Sequence, residues 1–548
     1  MKNILSILLT LLTFTTALAQ GGNGDLPGGE VEVVETFEAQ LAESERIEVK
    51  PELPPQDDTP PVQNYNNLPT RKLEINYPAP SIRPIAMPRE KLPPAYAGYV
   101  KGGVGLPGAF LGEFSYGKRF GDNLDLALNA DYLRMNNSKR VDNQKFSDFG
   151  AESEGTYYMD NGLAVKGNIG FATDRFHYYA YNELDEFADS TYLDTDVRQR
   201  LNLFDLGVEL FNGQETVGDF NYSAGIDLYR LTDLFATSEA GFDLRLQGKK
   251  YFDAQHPLEV VLRTDFTSYE DTTEQSLNNF YLEPSFTYVG SGFKVRGGVN
   301  IISTDDNFFF MPDAEVLVNV IGSTLSAFVG TDGSLYKQNF RNLTDYNPYL
   351  KSRIELTNNK WQNYYGGVKG VVGFFDYRAE VAYKRNDNLA LYLPEFDLSG
   401  RRYIQRFTPV YDSVSIVRIG GTLSAAPFKD LEVRGTVNQN IYNMTREEKP
   451  WHLPALELNA TVLYRTLSDK VLLRGELFIE NGVPFQAADG TADNLNGLFD
   501  ISLGAEYFVT ENVGAFIQIN NLANNRRQRW QNYPTLGING LMGLTARF

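Results

Sequence analysis

Charged residues recur two positions apart in segments of this sequence that otherwise alternate with apolar residues. In a β-strand, residues two apart project from the same face, so such a pair lies opposite the apolar side chains. Opposite charges on one face can neutralise each other in a lattice of ion pairs, or they can line a charge-selective path through a lumen. Both interpretations stay open for the eight candidate lumen-lining residues: Arg263, Asp265, Arg378, Glu380, Glu432, Arg434, Arg474 and Glu476.

The sequence offers few residues for catalysis or metal binding. The sequence has no cysteine and three widely separated histidines, His177, His256 and His452. This excludes disulfides and cysteine nucleophiles and leaves few ligands for zinc. Asp174 is near His177 in sequence, but no serine nucleophile motif accompanies them. We therefore predict that the protein is not an enzyme and has no cofactor, with a hydrolytic site in the loops as the weaker alternative.

Acidic residues dominate the charge balance. The net charge of −20 argues against a nucleic-acid partner. Segments 185–196 and 489–497 carry carboxylates that calcium accepts as ligands, but neither has EF-hand spacing. We interpret both as solvated loops and predict no metal site.

The N-terminal region predicts export. Residues 1–19 combine Lys2, an apolar run and small residues before Gln20, which is typical of a secretory signal peptide. A membrane anchor is the alternative, although the apolar run is short for a bilayer span. Residues 20–95 are acidic and rich in proline, and we expect a disordered periplasmic arm. A short β-like run in this arm is either a mobile linker or a docking segment for a periplasmic partner or the lumen, with the candidates Val31, Val33, Val34 and Phe37.

Residues 96–548 consist of segments with a period of two. Apolar residues at 124, 126, 128, 130 and 132 alternate with Asp125, Asn129 and Asp131, and 258–266 and 375–384 follow the same pattern. Many segments are about ten residues long, enough to cross a bilayer when tilted, and aromatic residues gather at their ends.

The connections between segments alternate in length. Short turns are expected near 120–123, 160–162, 212–215, 253–257, 290–292, 428–430, 468–470 and 510–512, and longer polar loops at 137–147, 182–195, 270–278, 340–358, 388–406, 445–453, 487–496 and 524–536. This layout is typical of outer-membrane barrels. We predict an all-β fold, a transmembrane antiparallel β-barrel of about 22 strands in the cell outer membrane of a Gram-negative bacterium. A soluble all-β protein is the alternative.

The last eleven residues, INGLMGLTARF, predict the strand that closes the barrel. An open sheet edge in lipid would leave backbone groups unsatisfied, so the last strand must pair with the first. Apolar residues from Ile538 to Phe548 are expected to face outer-membrane lipid. The ending also resembles the signal that the barrel-assembly machinery reads, carried here by Gly543, Leu544, Ala546 and Phe548.

The C-terminal segment resembles the end of TonB-dependent receptors from Bacteroidota. The matching residues are Asn520, Asn521, Leu522, Trp530, Tyr533, Pro534, Gly537, Gly543 and Phe548, and 347–370 resembles internal barrel segments of that group. The resemblance implies a barrel of about 22 strands preceded by a folded plug domain. Residues 20–95 are too few and too rich in proline to form that plug, although VEVVETF at 31–37 faintly resembles the motif that adds as a strand to TonB.

A barrel of this size with an empty lumen would be a large hole. We expect the lumen to be filled by inward-folded loops, by residues 20–95, by a separate lumen-closing protein, or by side chains of a flattened wall. The predicted function is passage or uptake of a solute, porin-like or receptor-like. The alternative is a structural or assembly scaffold of the outer membrane that binds periplasmic partners through residues 20–95.

Overall fold

Strands occupy most of the chain from Gly98 to Arg547. The computed structural model describes residues 96–184, 192–214, 216, 218–305, 307–397, 404–467 and 469–548. The chain divides into two units, Met1–Pro94 and Ala95–Phe548. The predicted signal peptide, the arm and its docking candidates Val31, Val33, Val34 and Phe37 lie outside the described residues.

Twenty-two strands form one sheet, which confirms the predicted barrel. They are β1 (Gly98–Leu106), β2 (Ala109–Phe120), β3 (Leu124–Asn136), β4 (Lys145–Tyr158), β5 (Leu163–His177), β6 (Arg198–Asn212), β7 (Phe220–Thr232), β8 (Ser238–Phe252), β9 (His256–Glu270), β10 (Glu274–Gly290), β11 (Phe293–Thr304), β12 (Asn307–Ile321), β13 (Leu325–Gln338), β14 (Thr357–Val372), β15 (Phe375–Asp397), β16 (Ile404–Phe428), β17 (Leu431–Met444), β18 (Leu456–Thr466), β19 (Val471–Asn481), β22 (Leu498–Phe508), β23 (Val513–Asn520) and β26 (Asn539–Arg547).

Smaller elements lie in the connections. Two short hairpins, β20 (Val483–Gln486) with β21 (Ala492–Leu495) and β24 (Gln528–Trp530) with β25 (Tyr533–Pro534), stand apart from the barrel sheet. The helices are a 3₁₀ turn at Ala180–Glu183, α1 (Asp194–Val197) and α2 (Phe340–Tyr346). No helix among the described residues is long and apolar enough to cross a membrane.

The last strand closes the barrel against the first. β1 and β26 pair antiparallel from Tyr99 opposite Arg547 to Leu106 opposite Gly540. The backbones of Gly98 and Phe548 exchange hydrogen bonds of 2.8 and 3.0 Å at the end of this ladder. Every barrel strand therefore has a hydrogen-bonded partner on both sides over at least part of its length, and the sheet is closed.

The outer surface of the wall is apolar. Met542 and Leu544 on β26 are 61% and 66% exposed, while Leu541 before them and Thr545 after them are buried. The same alternation runs around the ring, with exposed valines, leucines and aromatics on nearly every strand. A lipid bilayer covers such a surface, so the fold is that of an outer-membrane β-barrel.

The two ends of the barrel differ as predicted, with two corrections. At one end, the turn end, the connections are short throughout; at the other, the loop end, they include long loops such as 339–356 and 521–538. The expected loop at 270–278 is a three-residue connection, because β9 and β10 continue beyond the apolar band as polar strand ends. The expected loop at 388–406 is largely strand, because β15 and β16 extend to Asp397 and from Ile404.

The wall splits between β12 and β13 in its loop-end half. These strands pair only from Ala314 opposite Thr331 to Ile321 opposite Leu325. β13 nevertheless stays paired with β14 up to Gln338 opposite Thr357, and β12 with β11 up to Asn307 opposite Thr304. Two adjacent strands therefore separate while each keeps its other neighbour.

Candidate functional site

A core of buried residues spans the mouth of the lumen at the loop end. Tyr349 stacks on Tyr533 with ring centroids 3.7 Å apart, and Tyr179 meets both rings edge-on. These rings come from the connections after β5, β13 and β23, which are widely separated around the barrel. We call this cluster the loop core: Phe176, Tyr178, Tyr179, Ala180, Tyr181, Tyr192, Val197, Leu201, Leu231, Tyr269, Leu277, Phe340, Leu343, Leu350, Ile354, Leu356, Ala390, Tyr392, Ile404, Phe407, Trp530 and Tyr533.

The split wall contributes a second layer. The loop-end part of β13 lies on the inner surface of the wall, because the Asn300 side chain of β11 donates to the carbonyl of Gly333 over 2.8 Å. Asn358 of β14 exchanges amide hydrogen bonds of 2.9 and 3.1 Å with Asn279 of β10. We call residues 332–338, 357–362, 387–397 and 404–412 the folded-in sheet.

Apolar and ionic contacts hold the folded-in sheet against the inner surface of β9 to β12. Leu335 packs against three inner-wall residues of β10 to β12, namely Tyr281, Ile302 and Met311. Lys337 pairs with Asp265 and donates to Thr267 over 3.0 Å, both on β9. The lumen is therefore occupied at this level by the wall's own strands.

A buried carboxylate anchors helix α2 across the lumen. Glu239 on β8 is 0% exposed and accepts hydrogen bonds from the backbone N–H of Phe340 at 2.7 Å and of Arg341 at 3.2 Å. It also accepts from Asn339 Nδ2 at 2.8 Å and from the Tyr229 hydroxyl at 2.9 Å. A carboxylate at a helix N-terminus satisfies N–H groups that have no partner within the helix.

His452 lies at the centre of the loop core and is 0% exposed. Its Nδ1 is 2.7 Å from the carbonyl oxygen of Tyr392 and its Nε2 is 3.4 Å from the backbone N–H of Gln531. A neutral ring that donates from Nδ1 and accepts at Nε2 satisfies both contacts. Burial lowers the pKa of His452 to about 3, and the nearby guanidinium of Arg529 adds to the effect.

Arg529 connects the loop core to the wall. Its Nε lies 2.8 Å from Oε1 of Glu480, a residue of β19 that is almost fully buried. The guanidinium also donates to the hydroxyl of Tyr346 over 2.9 Å and stacks over the ring of Trp530 at 4.7 Å. A buried carboxylate of this kind requires a positively charged partner.

In three of the four predicted charge pairs, the two members form an ion pair with each other. Arg378 and Glu380 are 2.5 Å apart, and Arg418 of β16 joins Glu380 at 3.0 Å. Arg434 lies 2.5 Å from Glu432. Arg474 and Glu476 also pair directly.

The fourth predicted pair separates. Arg263 lies 3.4 Å from Glu283 of β10 and stacks on Tyr281 at 3.8 Å, while Asp265 takes Lys337 of the folded-in sheet. Geometry thus agrees with the ion-pair lattice for all eight residues, and a role for them in selecting a solute stays a prediction.

Carboxylates also face one another along the inner wall. Asp148 of β4 lies directly opposite Asp174 of β5, and Asp243 of β8 lies directly opposite Asp265 of β9. Like charges in direct cross-strand register destabilise a sheet. These two pairs place acidic groups side by side on the lumen side of β4 with β5 and of β8 with β9.

A cavity of about 350 Å³ lies between the loop core and the wall. Its lining mixes aromatic rings and amides, including Phe176, Tyr179, Gln144, Asn521 and Asn539. A second cavity of about 430 Å³ adjoins the charged group of Arg378, Glu380 and Arg418. Within the described part of the chain, no group of three or more His, Asp or Glu side chains is placed to hold a metal ion.

Sequence reasoning missed the loop core. The segment FHYYAY is one of the segment ends where aromatic residues gather, which predicts a position at the membrane interface, but Phe176, Tyr178 and Tyr179 are buried in the loop core. Rings at 157, 364 and 507, in similar motifs, do lie on the outer surface. The unbroken run of four rings from Phe176 to Tyr179 is the available signal, because a strand end buries only alternate residues on one face.

Structural comparisons agree with this architecture. No family model and no curated protein matches the sequence. The fold is similar to that of the FrpB iron transporter from Neisseria meningitidis, with a TM-score of 0.64, 9% identity and coverage of 83% of this chain and 82% of that chain. It is also similar to the ferric-catecholate import receptor Fiu from E. coli K12, with a TM-score of 0.61, 10% identity and coverage of 83% and 82%.

A third similar structure is the ferripyoverdine receptor of the Pseudomonas aeruginosa outer membrane. The TM-score is 0.58 and the identity 12%, with coverage of 84% of this chain and 73% of that chain. At these identities the comparisons establish a shared fold alone, that of a large outer-membrane β-barrel.

Proposed function

We propose that this protein is an outer-membrane barrel for the passage or uptake of a solute. The pairing of β1 with β26 carries the proposal, because it closes the sheet into a barrel that encloses a lumen. A barrel of 22 strands encloses far more space than the side chains of its wall fill. Charged and polar residues line that space, whereas the outside is apolar.

Opening of the loop core is the step that passage requires. Three loops meet in the mouth through Tyr179, Tyr349 and Tyr533, and the folded-in sheet occupies the lumen beside them. The pore is therefore gated, and a solute enters by displacing these contacts. The eight predicted wall charges are our candidates for lining the path.

Similar folds suggest the first solutes to test. Their names describe an iron transporter, a ferric-catecholate import receptor and a ferripyoverdine receptor. We propose a ferric chelate as the leading candidate. The C-terminal resemblance supports an origin among TonB-dependent receptors of Bacteroidota, in a form in which the loop core, residues 20–95 or a partner protein replaces the plug.

Assembly in the membrane is part of the proposal. The barrel-assembly machinery is the expected partner, with Gly543, Leu544, Ala546 and Phe548 as its recognition segment. Removing Phe548 is expected to reduce the amount of folded, heat-modifiable barrel in outer membranes, and an unchanged amount would contradict this role.

Conductance tests the main proposal. The full-length protein and a variant that lacks residues 20–95 would be compared in planar bilayers, together with uptake of a radiolabelled ferric chelate by cells. The proposal predicts solute-dependent uptake by the full-length protein and a conductance that is equal or larger after deletion. The proposal is overturned if neither protein conducts current and neither supports uptake of the chelate.

One observation favours a second function. The mouth is spanned by the protein's own residues, so the barrel can also serve as a scaffold that transports nothing. That alternative predicts that deletion of residues 20–95 releases a periplasmic protein from outer-membrane fractions. A transporter would instead show a change in uptake.

A further inference from the structure

The split between β12 and β13 leaves a free edge on β12. The N–H of Asn319 donates to the carbonyl of Gly292 at the start of the ladder with β11, so odd-numbered residues of β12 point their backbone groups toward β11. Even-numbered residues therefore point theirs toward β13. Beyond Ala314, the last position that pairs with β13, the backbone groups of Phe308 and Phe310 face the split. The side chains of these two residues are 68% and 70% exposed.

The separated segments match in register. Extending the observed ladder beyond Ala314 and Thr331 would place Asp313 opposite Asp332 and, at its far end, Asn307 opposite Gln338. Asn307 is the first residue of β12 and Gln338 the last of β13, so the two strands would end flush. Unrelated strands have no reason to match in this way over the whole separated length.

The side-chain pattern of β13 also fits a wall strand. In the extended ladder Leu335 would lie beside Phe310 on the lipid side, and Tyr336 beside Phe309 on the lumen side. In the folded-in arrangement Tyr336 is 51% exposed and Leu335 is buried against the inner wall. Leu335 and Tyr336 are thus compatible with both positions, whereas Lys337 would lie beside Phe308 at the loop end of the extended ladder.

We propose that β12 and β13 have a second, zipped arrangement in which Asn307–Asp313 pairs with Asp332–Gln338 and the folded-in sheet leaves the lumen. Zipping gives the backbone groups of Phe308 and Phe310 and the carbonyl of Pro312 partners on β13 by extending an existing ladder. In exchange, it breaks the contacts of Lys337 with Asp265 and of Asn358 with Asn279. The split is therefore the hinge of a lid that is built from the strands of the wall. The two arrangements of the strands do not depend on the proposed function, whereas the opening of a path for a solute rests on it.

Engineered cysteines test the zipped arrangement directly, because the native chain has none. Phe309→Cys with Tyr336→Cys places the thiols at a pair without mutual hydrogen bonds, where antiparallel Cβ atoms approach closely. In the present structure Lys337, next to Tyr336, contacts β9, three strands from β12. Disulfide formation in the folded, heat-modifiable barrel is expected, and its absence overturns the proposal.

A second pair and a control make the result secure. Asn307→Cys with Gln338→Cys tests the far end of the same ladder and should also form a disulfide. Asn279→Cys with Asn358→Cys, joined by a short bifunctional thiol crosslinker, fixes the folded-in arrangement and shows that the lid is accessible to reagent. Crosslinking of the control pair alone, with neither zipped pair oxidised, refutes the zipped arrangement.

Conductance separates the lid from the transport function. The oxidised Phe309→Cys/Tyr336→Cys protein is expected to conduct more current than its reduced form, reversibly with dithiothreitol. A disulfide that forms without any change in current supports the zipped arrangement and overturns its role as a lid. Uptake of a solute by the native protein tests the proposed function independently of either result.

Discussion

Acidification is expected to loosen the loop core through His452. The buried ring has a pKa of about 3, whereas an exposed histidine titrates near pH 6.5. A lowered pKa in the closed state means that the closed state resists protonation while the open state accepts it. Stability of the closed mouth is therefore complete above about pH 6.5 and is lost as the pH falls toward 3.

The size of the effect follows from the two pKa values. The full difference is worth about 5 kcal/mol, and about 2 kcal/mol of it is lost by pH 5. Because Nδ1 already faces the carbonyl of Tyr392, a second proton would go to Nε2, which faces the N–H of Gln531. Protonation would thus create two facing donors beside the guanidinium of Arg529, which remains charged throughout.

Hydrogen exchange measures this change. Peptides that cover 445–455 and 528–534 should exchange about thirtyfold faster at pH 5 than at pH 7.5, after correction for the intrinsic pH dependence of exchange. His452→Gln keeps an amide donor and an acceptor but cannot be protonated, so its opening should be independent of pH in this range. Equal opening of the native protein at both pH values, or an equal acid effect in His452→Gln, would refute the reasoning.

Three further perturbations test the mouth and the wall. Tyr349→Ala removes the ring stacked on Tyr533 and should lower the opening free energy of the loop core by about 3 kcal/mol, seen as faster proteolysis of the loops. Arg529→Met leaves Glu480 buried without its cation and should lower stability by about 3 kcal/mol in urea unfolding, whereas Arg529→Met with Glu480→Met should recover most of the loss. Asp148→Asn removes one carboxylate of a facing pair and should weaken the cation preference of the open barrel, measured as a smaller reversal potential in a salt gradient.

Each of these predictions has a matched control. Tyr507→Ala removes an aromatic ring from the outer surface and should leave loop proteolysis unchanged. A double variant no more stable than Arg529→Met alone would show that Glu480 does not depend on the guanidinium. Asp489→Asn removes a carboxylate from a loop hairpin and should leave the reversal potential unchanged. If it shifts the reversal potential as much as Asp148→Asn does, the inner wall does not set the cation preference.

Much of the barrel was predictable because its signal is local. The alternation at 258–266 and 375–384 appears as β9 and β15, and the strand count of about 22 is confirmed. Errors occurred where polarity was taken to mean a loop. The polar residues of 270–278 are mostly strand ends beyond the apolar band. Much of 388–406 continues as strand because Ala390, Tyr392 and Ile404 are buried in the loop core.

The sequence by itself determined which face of each strand is apolar and that the final strand must pair with the first. Both conclusions follow from local features, because an alternation with a period of two is visible in neighbouring residues and an unpaired strand edge is unfavourable in lipid wherever it occurs. Only the tertiary structure decided how the mouth is filled. Glu239 holds the start of α2 from 100 residues away, and Tyr349 meets Tyr533 across the lumen. Contacts of this kind depend on where distant loops arrive around the ring, a relation that has no period in the sequence.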